Sequence, residues 1–174
     1  MKNYLVLVIG LPGVGKSTVS EIIAKEIGGV ILNSDVLRQE LFPEKRTYDS
    51  KETSTVIAET EKRCKELLQK GKNVTLDALF TKKNSREKYK GLAERLGANF
   101  LVIEVTADEP KIKERMDKRK LENNASEADF SYYLDRKSHF ESELGALSID
   151  NSGPREELVG KLKGIILGIK DHKL

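Results

Sequence analysis

The chain contains one cysteine, Cys64, in 174 residues. No intramolecular disulfide can form, no disulfide-linked partner is expected, and no cysteine-based zinc site exists. Cys64 lies within a helical pattern and reads as a small packed residue rather than a reactive thiol. No uninterrupted apolar stretch approaches the roughly 20 residues that a membrane-spanning helix needs. The N-terminal residues have the pattern of a core strand and lack the layout of a signal peptide, so a cytoplasmic protein without a membrane partner is expected. Repeats, low-complexity tracts and Pro/Gly/Ser-rich linkers are all missing, which makes residues 1–174 a single domain. Neither sign of charge dominates: 31 basic residues face 28 acidic ones, for a net charge of +3. That balance neither demands nor excludes a polynucleotide partner.

What is present fits a soluble globular protein long enough to bury a real core: 38% hydrophobic and 34% charged residues. Strand and helix patterns alternate. Tyr4–Ile9 is a near-continuous apolar run, as expected of a strand buried on both faces. Helical stripes follow over Lys16–Ile27, Asp35–Leu41, Ser50–Lys70, Asn84–Leu96, Glu109–Arg119, Phe130–Leu144 and Pro154–Ile169. Short strand patterns fall at Val30–Leu32, Asn73–Leu76, Phe100–Val105 and Leu147–Ile149. This alternation predicts an α/β three-layer sandwich, a mostly parallel five-stranded sheet with helices on both faces. Ligands of such sheets bind at the carboxyl ends of the strands. The segments after the strands should therefore gather along one edge.

The first of those segments is GLPGVGKST, comprising Gly10, Leu11, Pro12, Gly13, Val14, Gly15, Lys16, Ser17 and Thr18. Its spacing, Gly10-x-x-x-x-Gly15-Lys16-Ser17, fits the phosphate-binding P-loop, and it lies between a strand and a helix as that mechanism requires. The curled backbone converges N–H groups on a phosphate, and the following helix turns its positive end to the same anion. Lys16 should reach the β- and γ-phosphates, Ser17 should ligate Mg²⁺, and Thr18 should support the α-phosphate. A nucleotide, ATP by preference, and Mg²⁺ are the expected cofactors.

A phosphotransferase and a nucleotide switch both use such a loop. The Asn-Lys-x-Asp guanine signature is missing: Thr81-Lys82-Lys83-Asn84 lacks the aspartate. Asp35 follows the second strand, with Arg38 three residues on, so the two share a helix face. Ser34 or Asp35 can cap that helix. Asp35 can also take the proton of an acceptor hydroxyl, while Arg38 holds an anionic part of the acceptor. Asp77 ends the third strand, where a carboxylate can hold a Mg²⁺-bound water, orient the acceptor hydroxyl, or cap a helix. Phe80 can stack on an acceptor ring or belong to the core. Arg115 and Arg119 lie at i and i+4 ahead of a polar stretch. They read either as a solvated charged face or as arginines of a small helical lid spanning about residues 115–130.

Taken together, these residues resemble the P-loop kinases that include the kinase domain of 5′-hydroxyl polynucleotide kinases and small ATP-dependent kinases of the same branch. Gluconate kinase, chloramphenicol phosphotransferase and zeta toxins are more distant relatives. The resemblance makes Gly10–Thr18 the phosphate loop, Asp35 the general base and Arg38 the acceptor contact. It makes Asp77 the acidic residue after the third strand and Arg115 and Arg119 the nucleotide-binding lid arginines. Arg86 falls near a recurrent basic position and is an acceptor-binding candidate. The implied reaction is transfer of the γ-phosphoryl group of ATP to a hydroxyl. A nucleic-acid 5′-hydroxyl end is the first acceptor and a small hydroxylated molecule (sugar, nucleoside or antibiotic) the alternative. A nucleotide sensor without transfer activity is the distant third. Adenine is implied to lie between the lid and the loop at Asn151–Pro154.

Overall fold

A computed structural model describes residues 2–121 and 129–171. The elements run β1 (Tyr4–Ile9), α1 (Lys16–Ile27), β2 (Val30–Asn33), α2 (Ser34–Leu41), α3 (Ser50–Gln69), β3 (Val74–Asp77), α4 (Lys83–Leu96), β4 (Asn99–Thr106), α5 (Glu109–Leu121), α6 (Phe130–His139), β5 (Leu147–Asp150) and α7 (Arg155–Lys170). The five strands form one parallel sheet in the order β2-β3-β1-β4-β5. β1 is the centre, and all six of its residues are buried, which explains its unbroken apolar run.

Alternation along β1 divides the core in two. Tyr4, Val6 and Val8 point into a cluster built with Val19 and Ile23 of α1, Ile112 of α5 and Leu162 of α7. Leu5, Leu7 and Ile9 point the other way, into a cluster with Cys64 and Leu68 of α3 and Tyr89 and Leu92 of α4. The sheet thus carries helices on both faces. Cys64 is a fully buried core residue whose thiol burial pushes up to about 12, consistent with packing rather than reactivity.

Register aligns the strand ends. Asp77 pairs with Val8 on one side and with Asn33 on the other, and Thr106 pairs with Asp150. The loop after β1, the start of α2, the end of β3 and the loop after β5 therefore share one edge.

The helix expected over Phe130–Leu144 is shorter: α6 ends at His139. The residues beyond it make competing bonds to other parts of the chain. The Glu141 N–H donates to the Thr81 carbonyl, Ser142 and the Glu143 N–H bond the Glu104 carboxylate, and Gly145 takes a left-handed φ of 90°. Of the lid expected over residues 115–130, residues 122–128 lie outside the described residues. The flanking helices are docked to each other: the Tyr133 hydroxyl donates to Glu109 at 3.1 Å, and Lys137 pairs with the same carboxylate. No helix among the described residues is long and apolar enough to cross a membrane.

Candidate active site

The loop between β1 and α1 is held by packing. Pro12 and Val14 are buried, and Val14 belongs to the core cluster that α5 and α7 close. Gly13 and Gly15 are required by contact. A Cβ at Gly13 would sit 2.8 Å from Ile112 Cγ2, and one at Gly15 would run into Asn151 Nδ2. Both also have positive φ, 82° and 96°. α1 begins without a side-chain cap and without an acidic residue in its first turn. Its first N–H groups and its positive end are left for an anion.

Lys16 donates to the Leu11 carbonyl at 3.0 Å. Burial lowers its pKa, Asp77 and then Asp35 raise it, and Arg119 lowers it. Three residues from three different elements, β3, α2 and α5, thus act on one ammonium. Asp35, Asp77 and Arg119 therefore lie near enough to the phosphate loop to act on its lysine.

Beyond β2, the cap of α2 comes from neither Ser34 nor Asp35. The Asn33 side chain accepts from the N–H groups of Asp35 (2.8 Å) and Val36 (2.9 Å). Asp35 is exposed, and its carboxylate makes no hydrogen bond among the described residues. Asn33 also donates to Asp77 at 2.6 Å, and Asp77 is buried. Asp77 caps no helix: Lys82 is the first-turn boundary of α4.

Arg38 lies under a lid of its own. Its guanidinium bonds Glu52 of α3 and sits 4.8 Å below the centroid of the Tyr48 ring. Arg38 Nε is buried without a partner among the described residues. No sequence pattern singles out Glu52, which also receives the Thr47 N–H and hydroxyl. Its carboxyl is pushed up by burial, but these bonds outweigh that and hold it at about 2. Among the described residues, Tyr48 and Phe80 are the non-glycine residues with positive φ, 55° and 41°. Phe80 packs edge-to-face on Tyr89 as part of the core margin.

Arg115 and Arg119 separate in role. Arg115 donates to the carbonyls of Val14 (3.2 Å) and Asn151 (2.7 Å), and Asn151 Nδ2 donates to the same Val14 carbonyl (2.8 Å). Arg119 is exposed and makes no hydrogen bond among the described residues. Both border a cleft of about 350 Å³ with Gly15, Thr18, Asn151 and Gly153, between α5 and the loop after β5. Asn151 is buried at the start of the loop that the resemblance sets beside adenine; its own sequence signal is its place after the last strand.

Arg86 is placed elsewhere than expected. It is 1% exposed, and its three nitrogens donate to Glu143, to the Phe80 carbonyl and to the Glu141 carbonyl. It is a buried strut between α4 and the segment after α6, each of its nitrogens already tied to the protein.

This sheet order, the loop with its uncapped helix and the carboxylates beside the lysine define the class of P-loop kinases. The chain belongs to the AAA domain family, whose description matches residues 5–142. A shikimate kinase of Clostridium botulinum (strain Eklund 17B / Type B) is 31% identical over 179 residues, covering 96% of this chain and 99% of the relative. A candidate kinase from Chloroflexus aurantiacus j-10-fl superposes with a TM-score of 0.79 at 18% identity, covering 99% of both chains. A gluconokinase from Sinorhizobium meliloti 1021 gives a TM-score of 0.68 at 20% identity, over 96% of this chain and 93% of that one. A chain of the Pnkp1/Rnl/Hen1 RNA repair complex gives 0.68 at 21% identity, over 79% of this chain and 44% of that one. At such identities the solved structures establish the shared fold.

Proposed function

We propose that this protein transfers the γ-phosphoryl group of ATP to a hydroxyl of a small molecule. The observation that carries the reading is Asp35: its carboxylate is released from capping by Asn33 and acts on Lys16 across the strand edge. In the proposed reaction the acceptor oxygen bonds to the γ-phosphorus as the bond to the β–γ bridging oxygen breaks. The acceptor proton passes to Asp35, and ADP leaves. Lys16 and the α1 N-terminus hold the phosphates, and Arg119 offsets charge on the moving group. The Ser17 hydroxyl and the Asp77 carboxylate form a hard oxygen donor pair suited to Mg²⁺, with Asp77 acting through water. Mg²⁺ supplies charge neutralisation at the phosphates when bound.

The small-molecule acceptor is supported by the shikimate kinase relative, which this chain matches over nearly its full length. A nucleic-acid 5′-hydroxyl, first in the sequence reading, is the second. The Asp35/Arg38 spacing supports it, and the engagement of Arg38 with buried Glu52 weighs against it, because that edge of the guanidinium is closed to a phosphate. The test is labelled γ-phosphate from ATP offered to shikimate, gluconate, sugars, nucleosides and 5′-hydroxyl oligonucleotides. Label on a small molecule supports the reading, label on the oligonucleotides alone replaces it with the second, and label on none overturns both.

A further inference from the structure

Asn33 is the last residue of β2 and stands in register with Asp77, the last residue of β3. Its two amide atoms do different work. Oδ1 accepts from the N–H groups of Asp35 and Val36, and Nδ2 donates to Asp77 Oδ2 at 2.6 Å. Only one orientation of the amide satisfies these partners: the flipped one would set NH₂ against two N–H donors and an oxygen against a carboxylate. The side chain is therefore fixed from both ends.

We propose that Asn33 is a positioning residue for phosphoryl transfer, one amide that fixes the Asp77 carboxylate directly and the backbone turn that carries Asp35. Through Oδ1 it sets the first turn of α2 and so the place of Asp35, while relieving Asp35 of capping. Through Nδ2 it fixes the rotation of the Asp77 carboxylate, taking one oxygen and leaving the other without a hydrogen bond to any described residue. A buried carboxylate, 4% exposed in the case of Asp77, is costly unless paired, and Asn33 supplies that pairing without adding a charge. A neutral donor leaves the full negative charge available to the metal–nucleotide complex. A lysine or arginine in the same place would cancel it.

This inference rests on the kinase reading, and two substitutions separate its parts. Serine caps helices about as well as asparagine but is too short to carry the donor to Asp77; alanine loses both functions. Asn33→Ser and Asn33→Ala are compared with the wild type for thermal unfolding, for affinity for a non-hydrolysable ATP analogue with and without Mg²⁺ by calorimetry, and for transfer kinetics. Asn33→Ser should keep the Mg²⁺-free affinity and, because it keeps the cap, lower Tm less than Asn33→Ala does, by the cost of the lost Asp77 bond alone. It should lose at least about fivefold of the Mg²⁺-dependent gain in affinity and at least about tenfold in kcat, with little change in acceptor KM, an outer-shell effect of the usual size. Asn33→Ala should lower Tm further. Wild-type Mg²⁺ dependence and kcat in Asn33→Ser would reduce Asn33 to a helix cap and overturn the inference while leaving the kinase reading in place. A wild type that binds Mg²⁺ and nucleotide normally but phosphorylates no acceptor would overturn the kinase reading instead. The calorimetric comparison still decides the role of Asn33 toward Asp77 in that event.

Discussion

The Arg38 guanidinium and the Glu52 carboxylate meet at 2.5 Å across the junction of α2 and α3, and the two residues are only 9% and 5% exposed. Breaking such a pair strands a buried charge, so the surviving partner determines the penalty. Arg38→Ala strands Glu52 and also removes the platform beneath Tyr48. It should lower Tm by several degrees and raise the acceptor KM more than the ATP KM, as read by melting curves and steady-state kinetics. Equal effects on both KM values would make Arg38 purely structural.

Glu52 gives the pair a pH signature. Its folded pKa, about 2, lies below its ordinary 4.5. A depressed folded value means stability that is fully present above the unfolded pKa and lost as pH falls toward the folded one. Glu52→Gln removes this contribution at every pH. The Tm gap between wild type and variant should thus be widest above about pH 5 and should close toward about pH 2. A gap that does not vary over that window would show that the Thr47 and Arg38 bonds do not hold the carboxylate in its charged form.

Arg115 and Arg119 should behave differently from each other. Arg115 ties α5 to the Val14 and Asn151 carbonyls, so Arg115→Ala should loosen the phosphate loop, lowering Tm and raising the ATP KM. Arg119 is bound to nothing among the described residues but acts on Lys16, so Arg119→Ala should leave Tm unchanged and reduce kcat by about a hundredfold or more. The reverse assignment would be read directly from the same two measurements.

Arg86→Met should destabilise the fold by roughly 3 kcal/mol, since it breaks a pair and leaves two carbonyls without their donor. Denaturant unfolding measures this, and whatever activity the folded fraction retains should show an unchanged acceptor KM. A selective rise in that KM would return Arg86 to the acceptor site.

The phosphate loop was legible because nine consecutive residues encode its turn, its lysine and its hydroxyls, and the alternation of apolar runs carried the five strands and their shared edge. What was not legible depends on partners distant in sequence. The Val14 carbonyl finds Asn151 across 137 positions, and Arg86 finds Glu143 and the Glu141 carbonyl across 57 and 55. Backbone carbonyls have no sequence signature, so an arginine satisfied by them looks the same as one awaiting a ligand. Capping of α2 was misplaced by one or two residues for a related reason: Asn33 reads as the end of a strand, and only the sheet register reveals that its amide also faces Asp77. The overlong reading of α6 arose where side-chain and turn hydrogen bonds outcompete helix propensity.

Asp35 is the residue on which the proposed transfer depends most directly. Initial rates of labelled γ-phosphate transfer from ATP should be measured across the acceptor panel for wild type and Asp35→Asn, alongside calorimetric nucleotide affinity. The predicted result is a small hydroxylated acceptor with the highest kcat/KM, a fall of at least about a hundredfold in Asp35→Asn, and nucleotide affinity essentially retained. Wild-type turnover in Asp35→Asn, or transfer to no acceptor in the wild type, would contradict it.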